Sequence, residues 1–188
     1  MFDSQCDLAA VVYAEDQDPD AVLQGFAADL RARGVRAVGL VQVGHRVHDQ
    51  PRLDAVLVHS GERLQLLQDL GPLATGCRLD VGQLLSAGSQ VAQAIDQGAD
   101  LLIVNRFGKQ ESEGKGLSFL IERALSADIP VVIAVPRHRF DDWIRFAGGM
   151  SVKLNCDRAS LEAWWGGVSQ RSPGVLRESH VAVCEILK

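Results

Sequence analysis

The chain has 188 residues, 47% of them hydrophobic and 23% charged, with a formal net charge of -5. That length suits a single domain with a sizeable core, and the acidic balance, with no basic face, argues against a nucleic-acid binder held by phosphate contacts while leaving room for a local positive pocket. No apolar run reaches membrane-spanning length, and the first residues lack the basic-then-apolar order of a secretion signal, so a cytoplasmic protein with neither membrane nor nucleic-acid partners is expected.

Leu8 to Tyr13 reads as a first buried strand. Asp18-Pro19 supplies an N-cap and a proline at the first helical position, so a helix is expected from Pro19 to about Arg33, ended by Gly34. Its apolar positions Val22, Leu23, Phe26, Ala27 and Leu30 share one face. Val35 to Val43 is a second strand, which completes one βαβ unit. His45 to Gln50 is turn-like, and Asp54–His59 with Arg63–Leu67 forms an expected antiparallel hairpin around Ser60-Gly61-Glu62. Gln68 to Thr75 has turn chemistry. Val81 to Gln97 is helical, Leu101–Val104 is a strand, and a helix is expected from about Gly116 to Ala127. Val131–Val135 is another buried strand, Arg137 to Phe146 is helical, and Ser151–Leu154 is a last strand. Asp157 caps a short helix carrying Trp164 and Trp165. The domain is expected to span residues 1–166, with 167–188 as a C-terminal tail. The fold class is α/β with a mainly parallel sheet and a hairpin excursion.

Three places carry candidate chemistry. After the first strand, a phosphate cradle would need G-x-x-x-x-G-K-[ST], because backbone N–H groups must approach the phosphates and a lysine must neutralise them. Ala14 to Asp20 has no glycine and no lysine, and it carries Glu15, Asp16, Asp18 and Asp20. The phosphate loop is therefore absent, and the segment reads as a solvated acidic loop or, as the minor alternative, a cation site at Glu15, Asp16 and Asp18. The second place is Asn105 to Gly116, an abrupt switch from apolar strand to Asn, Arg, Lys, Gln and Glu among three glycines. Loops at the carboxyl ends of parallel strands are where open α/β sheets bind ligands. Here Gly108, Gly114 and Gly116 let the backbone approach a ligand, Lys109, Lys115 and Arg106 supply cations, and the next helix offers its N-terminal amides. The third is Gly76 to Asp80. Arg78 suits bidentate clamping of an anion, Asp80 suits capping of the next helix, and Cys77 beside Arg78 suits either a buried thiol or an activated one.

The four cysteines, Cys6, Cys77, Cys156 and Cys184, are widely separated with no C-x-x-C pair, so neither zinc nor a disulfide framework is suggested. The scattered histidines suggest no metal site. Trp164-Trp165 reads as core or as an oligomer contact.

The strings Asn105 to Leu117 (N-R-F-G-K-Q-E-S-E-G-K-G-L), Gly76 to Asp80 (G-C-R-L-D) and Phe146 to Gly149 resemble a bacterial family of unassigned function, often associated with molybdenum uptake or nitrogen-fixation genes. That family is similar to the nucleoside triphosphatases of the thermophile-enzyme type, so the resemblance implies a three-layer P-loop-like topology. Relative to those enzymes the phosphate loop is missing, and Asn105 stands where a metal-holding acid is expected. The family pattern implies a ligand site at Cys77, Arg78, Asp80, Asn105, Phe107, Gly108, Lys109, Gln110 and Glu111.

Together these features lead to a binding or sensing protein for a small oxyanion, molybdate-like or phosphate-like, that needs no cofactor. Arg78, Lys109, Gln110 and the amides around Gly108 would donate to the anion, and Glu111 would orient Lys109 or Arg78. The alternatives are a divergent nucleotide-binding hydrolase or phosphotransferase, using Glu111 or Asp80 as base, and a non-catalytic homo-oligomeric scaffold built on the tryptophan helix.

Overall fold

The structure is a computed structural model and describes residues 6–43, 54–66 and 80–170. In chain order the elements are β1 (Leu8–Tyr13), α1 (Pro19–Ala32), β2 (Ala37–Val43), β3 (Asp54–Leu57), β4 (Arg63–Gln65), α2 (Val81–Asp96) and β5 (Leu101–Asn105). They continue as α3 (Lys109–Ser112), α4 (Ser118–Ser126), β6 (Val131–Pro136), α5 (Phe140–Phe146), β7 (Val152–Asn155) and α6 (Arg158–Ser169). The strands form a seven-stranded sheet in the order β4-β3-β2-β5-β6-β1-β7. The pairs β2–β5, β5–β6, β6–β1 and β1–β7 are parallel, while β3 and β4 run antiparallel as the expected hairpin at one edge.

Strands covered on both faces must be apolar at every position. β1 and β6 are buried throughout, and so is β5 down to Asn105. Alternation sorts their side chains into two cores. Leu8, Ala10, Val12, Leu102, Val104, Ile133 and Val135 pack with residues of α2, α4 and α5. Ala9, Val11, Tyr13, Leu101, Ile103, Val132 and Ala134 pack with residues of α1 and α6. The chain leaves β1 toward β2 and then reverses direction across the sheet. Crossovers of one hand that travel in opposite directions must pass on opposite faces, which is why α1 faces α2, α4 and α5 through the sheet. The crevice where connections diverge lies at the carboxyl end of β1 and its neighbours, the usual ligand position in such sheets. At Gly39, φ is +139°, and a Cβ would collide with the Ile103 carbonyl, so only glycine allows β2 to lie against β5.

Several boundaries differ from expectation. The stretch read as an open loop contains α3, and α4 begins at Ser118 rather than Gly116. The Arg137–Phe146 segment opens as a 3-10 turn before α5, and the last strand sits one residue further on than expected. α6 runs to Ser169, across the boundary expected at residue 166. Trp164 and Trp165 are buried inside this chain, and Trp164 Nε1 donates to the Cys6 carbonyl at 2.9 Å. Their burial removes the exposed aromatic face on which an oligomeric scaffold was expected to rest. Among the described residues, no helix is long and apolar enough to cross a membrane.

Phe107, implied as a ligand contact, is fully buried. It meets Trp143 edge-on at 5.1 Å and Phe146 at 5.5 Å between ring centroids. Its role is to fix the start of the 106–117 segment onto the core. Phe107→Ala is expected to lower stability by about 3–5 kcal/mol, the usual cost of emptying an aromatic core site, measured by urea denaturation.

Candidate functional site

α1 begins with two aspartates in different roles. Asp18 is the N-cap, and its Oδ1 accepts from Ala21 N–H at 3.0 Å. Asp20 lies three residues before Leu23 on the helix face that also carries Phe26 and Leu30, and that spacing turns it inward. It is 5% exposed. A buried carboxylate needs partners. Asn105 Nδ2, at the end of β5, donates to Asp20 Oδ1, and Arg106 Nη2 stands 3.5 Å from the same oxygen. Asn105 follows the alternation of Leu101 and Ile103, which directs it to the α1 side of the sheet. The Arg106 guanidinium also lies 5.6 Å over the Tyr13 ring. Burial pushes the Tyr13 hydroxyl pKa up, an effect that Arg106 opposes and Asp20 reinforces.

This edge retains hydrogen-bonding capacity. Asn105 Oδ1 and Arg106 Nε are buried with no hydrogen-bond partner among the described residues. The Arg106 side chain is 32% exposed, although its Nε is buried. Cys156 follows β7 at the same edge. Burial first, and then the charges of Asp157, Asp18 and Asp20, push its thiol up to about 11. The connection from β1 to α1 is closed on itself, because Ala14 N–H donates to Gln17 Oε1 at 2.8 Å and Gln17 N–H to the Ala14 carbonyl at 3.2 Å. Among the described residues, no three His, Cys, Asp or Glu side chains stand together as a metal site.

The 105–117 segment departs from the expected open cradle. Glu111 is buried, with Oε2 accepting from Gly108 N–H at 3.0 Å and Oε1 from Leu117 N–H at 3.2 Å. It therefore braces the loop instead of orienting Lys109, and the Gly108 amide already serves Glu111 instead of a ligand. Gly116 has φ +60°, and a Cβ there would strike the Glu111 carboxylate. Lys109 and Lys115 both point to Glu113, at 3.9 and 3.1 Å, and all three side chains are well exposed. Gln110 is also exposed. Asp80 is the N-cap of α2, accepting from Gln83 N–H at 3.0 Å. Cys77 and Arg78 lie outside the described residues, as do His45 and His48.

The structure thus places Asn105, Gly108, Lys109, Gln110 and Glu111 along the carboxyl edge, with Phe107 in the core and Asp80 occupied as a cap. Asp20, Tyr13 and Cys156 were not singled out from the sequence as site residues. For Asp20 the signal was present, since the spacing of Leu30, Phe26 and Leu23 extends back to it. Tyr13 ends β1 and Cys156 follows β7, with no local pattern to join them.

A family model described as "Protein of unknown function (DUF2478)" matches residues 8–164, and the chain belongs to that family. The chain is 39% identical over 180 residues to a "Molybdenum import ATP-binding protein ModC 2" of Bradyrhizobium diazoefficiens. That match takes in 94% of this chain and 20% of the relative, so the chain spans about a fifth of that protein's length. Among solved structures, a human cancer-related nucleoside triphosphatase is similar, with a TM-score of 0.55 at 17% identity, covering 79% of this chain and 87% of that one. At that identity the likeness establishes a shared α/β fold.

Two predictions follow from the geometry. Glu111→Ala leaves two backbone N–H groups without their acceptor and is expected to cost about 2–4 kcal/mol by urea denaturation. Cys156 is expected to alkylate more slowly than an ordinary thiol at pH 8, with its rate still climbing as pH approaches about 11, because only the thiolate reacts and burial disfavours it; mass spectrometry of the Cys156 peptide gives the rate.

Proposed function

We propose that this domain binds or senses a small oxyanion, molybdate-like or phosphate-like, without hydrolysing a nucleotide. The observation that carries the reading is that Asp18 and Asp20 fill the first turn of α1 while Asn105, at the end of β5, is tied to Asp20. Nucleotide hydrolysis on such a fold uses a glycine cradle with a lysine at the first of these positions and a metal-holding acid at the second. Residues 14–20, which follow β1, carry no glycine and no lysine. A triphosphate brought to α1 would meet two carboxylates, at a cost of several kcal/mol where water is excluded.

What remains favours a compact anion. Arg106 presents a partly exposed guanidinium, a planar charge suited to a tetrahedral oxyanion. Lys109 and Gln110 stand exposed on the same edge, three and four residues further along. Arg78 is proposed as a further donor. The name of the molybdenum-import relative supports molybdate as the first ligand to test and suggests that the domain reports on the ion that such a transporter handles. The same name includes ATP binding, which supports a second reading as a nucleotide-binding domain.

Melting temperature separates the two readings, since a ligand that binds only the folded state raises it by mass action. Molybdate or tungstate at millimolar concentration is expected to raise it by several degrees, an effect much reduced in Arg106→Gln and Lys109→Gln. ATP with magnesium is expected to produce neither comparable stabilisation nor phosphate release. Stabilisation by ATP with magnesium alone would replace the leading reading with the second one.

A further inference from the structure

At the opposite end of the sheet, around the start of β2, lies a cleft of about 450 Å³. Its walls come from the end of α1, the α1–β2 connection, the start of β2, the residues after β3 and the end of α2. That size falls within the range of small-molecule sites. Much of the lining is small or aliphatic, including Ala27, Val35, Val38 and Ala94. Its charged members are Arg31 and Arg36, with His59 beside them.

These groups have unspent capacity. The Arg31 guanidinium donates to the Val58 carbonyl, and Arg36 Nη2 donates to the Gln97 carbonyl at 3.4 Å. Among the described residues, neither guanidinium is in an ion pair; nearby Arg33, by contrast, is paired with Glu162 at 3.0 Å. The Asp100 carboxylate accepts from the Arg36 backbone N–H at 2.8 Å. His59 Nδ1 is buried with no hydrogen-bond partner among the described residues. Burial first and then the Arg31 charge lower the His59 pKa, with Glu62 opposing, which favours the neutral ring, and a neutral ring keeps one donating nitrogen. Two guanidiniums without carboxylate partners and a neutral imidazole with an unused nitrogen form a donor set for a dianion, and the aliphatic walls suit a compact organic body.

We infer that the Arg31–Arg36–His59 cleft is a second ligand site, which takes a small phosphate monoester with its phosphoryl group between the two arginines. This site is distinct from the oxyanion edge at Arg106, and its occupancy does not depend on that reading. The probe is phenyl phosphate, with inorganic phosphate as the body-less comparison. Binding is followed by calorimetry and by the imidazole resonances of His59 in the wild-type protein. Phenyl phosphate is expected to bind saturably, to bind more tightly than inorganic phosphate, and to shift the His59 resonances. Arg31→Gln and Arg36→Gln, both at exposed positions and checked for an unchanged circular dichroism spectrum, are each expected to weaken binding by about tenfold. Arg106→Gln is expected to leave it unchanged. Absence of saturable binding, unmoved His59 resonances, or loss of binding in Arg106→Gln alone would overturn the assignment; the first two leave the molybdate reading untouched, and the third would place the phosphoryl group at the Arg106 edge instead.

Discussion

Asp20 is a carboxylate that the packing of α1 forces into the interior, and much of the carboxyl edge is arranged to hold it. The same helical spacing that sinks Leu23, Phe26 and Leu30 against the sheet sinks Asp20 with them. An isolated buried charge costs far more than a domain's net stability can absorb. Asn105 and Arg106 meet that demand from the end of β5, and Tyr13 supplies the aromatic surface under the guanidinium. α1 is thereby fastened to β5 through a polar contact at the one place where the sheet's connections diverge.

Much of the edge's hydrogen-bonding capacity is then spent internally. Asp18 takes an amide of α1, Gln17 takes one from the turn before it, and Glu111 takes two from the 108–117 segment. Lys109 and Lys115 share one acid, Glu113. Among the described residues, the buried polar atoms left without partners toward this edge are Arg106 Nε, Asn105 Oδ1 and Gln42 Oε1, one donor and two acceptors. The amino edge has the opposite balance. There Arg31 and Arg36 rest on carbonyls, without carboxylates to neutralise them. Both ends of the sheet therefore hold arginine: Arg106 is set against Asp20, whereas Arg31 and Arg36 are in no ion pair among the described residues.

The fold was legible where burial acts on every residue of an element. The runs LAAVVY, LLIV and VVIAV suit strands covered on both faces, and Asp18-Pro19 marks a helix start through cap chemistry and a fixed proline φ. The hairpin and the Asp80 cap were legible for equally local reasons. The site was less so. Asp20 sits among three other acids, so its composition suggested solvent while its helical spacing pointed inward. Glu111 looked like a partner for a neighbouring cation, because sequence distance says nothing about backbone amides that a turn brings round to a carboxylate. Phe107 stands inside a polar motif and yet belongs to the core with Trp143 and Phe146, which lie about forty residues away in the chain. Arg31, Arg36 and His59 come from three segments, and no one-dimensional spacing joins them.

The position of Glu111 also bears on whether this edge does chemistry or only binds. A general base must bring a free carboxylate oxygen within hydrogen-bond reach of the proton it abstracts. Both oxygens of Glu111 already accept backbone N–H groups, from Gly108 and from Leu117, and the chain can close around them only because Gly116 has no side chain. Each oxygen keeps a further lone pair, so what the brace limits is movement: drawing the carboxylate toward a ligand would break one or both of these bonds, at about 1–3 kcal/mol for each. Glu111 is in addition buried, so a substrate proton would have to come to it. The brace thus makes Glu111 a carboxylate held in place by the 108–117 segment, whose geometry depends on it.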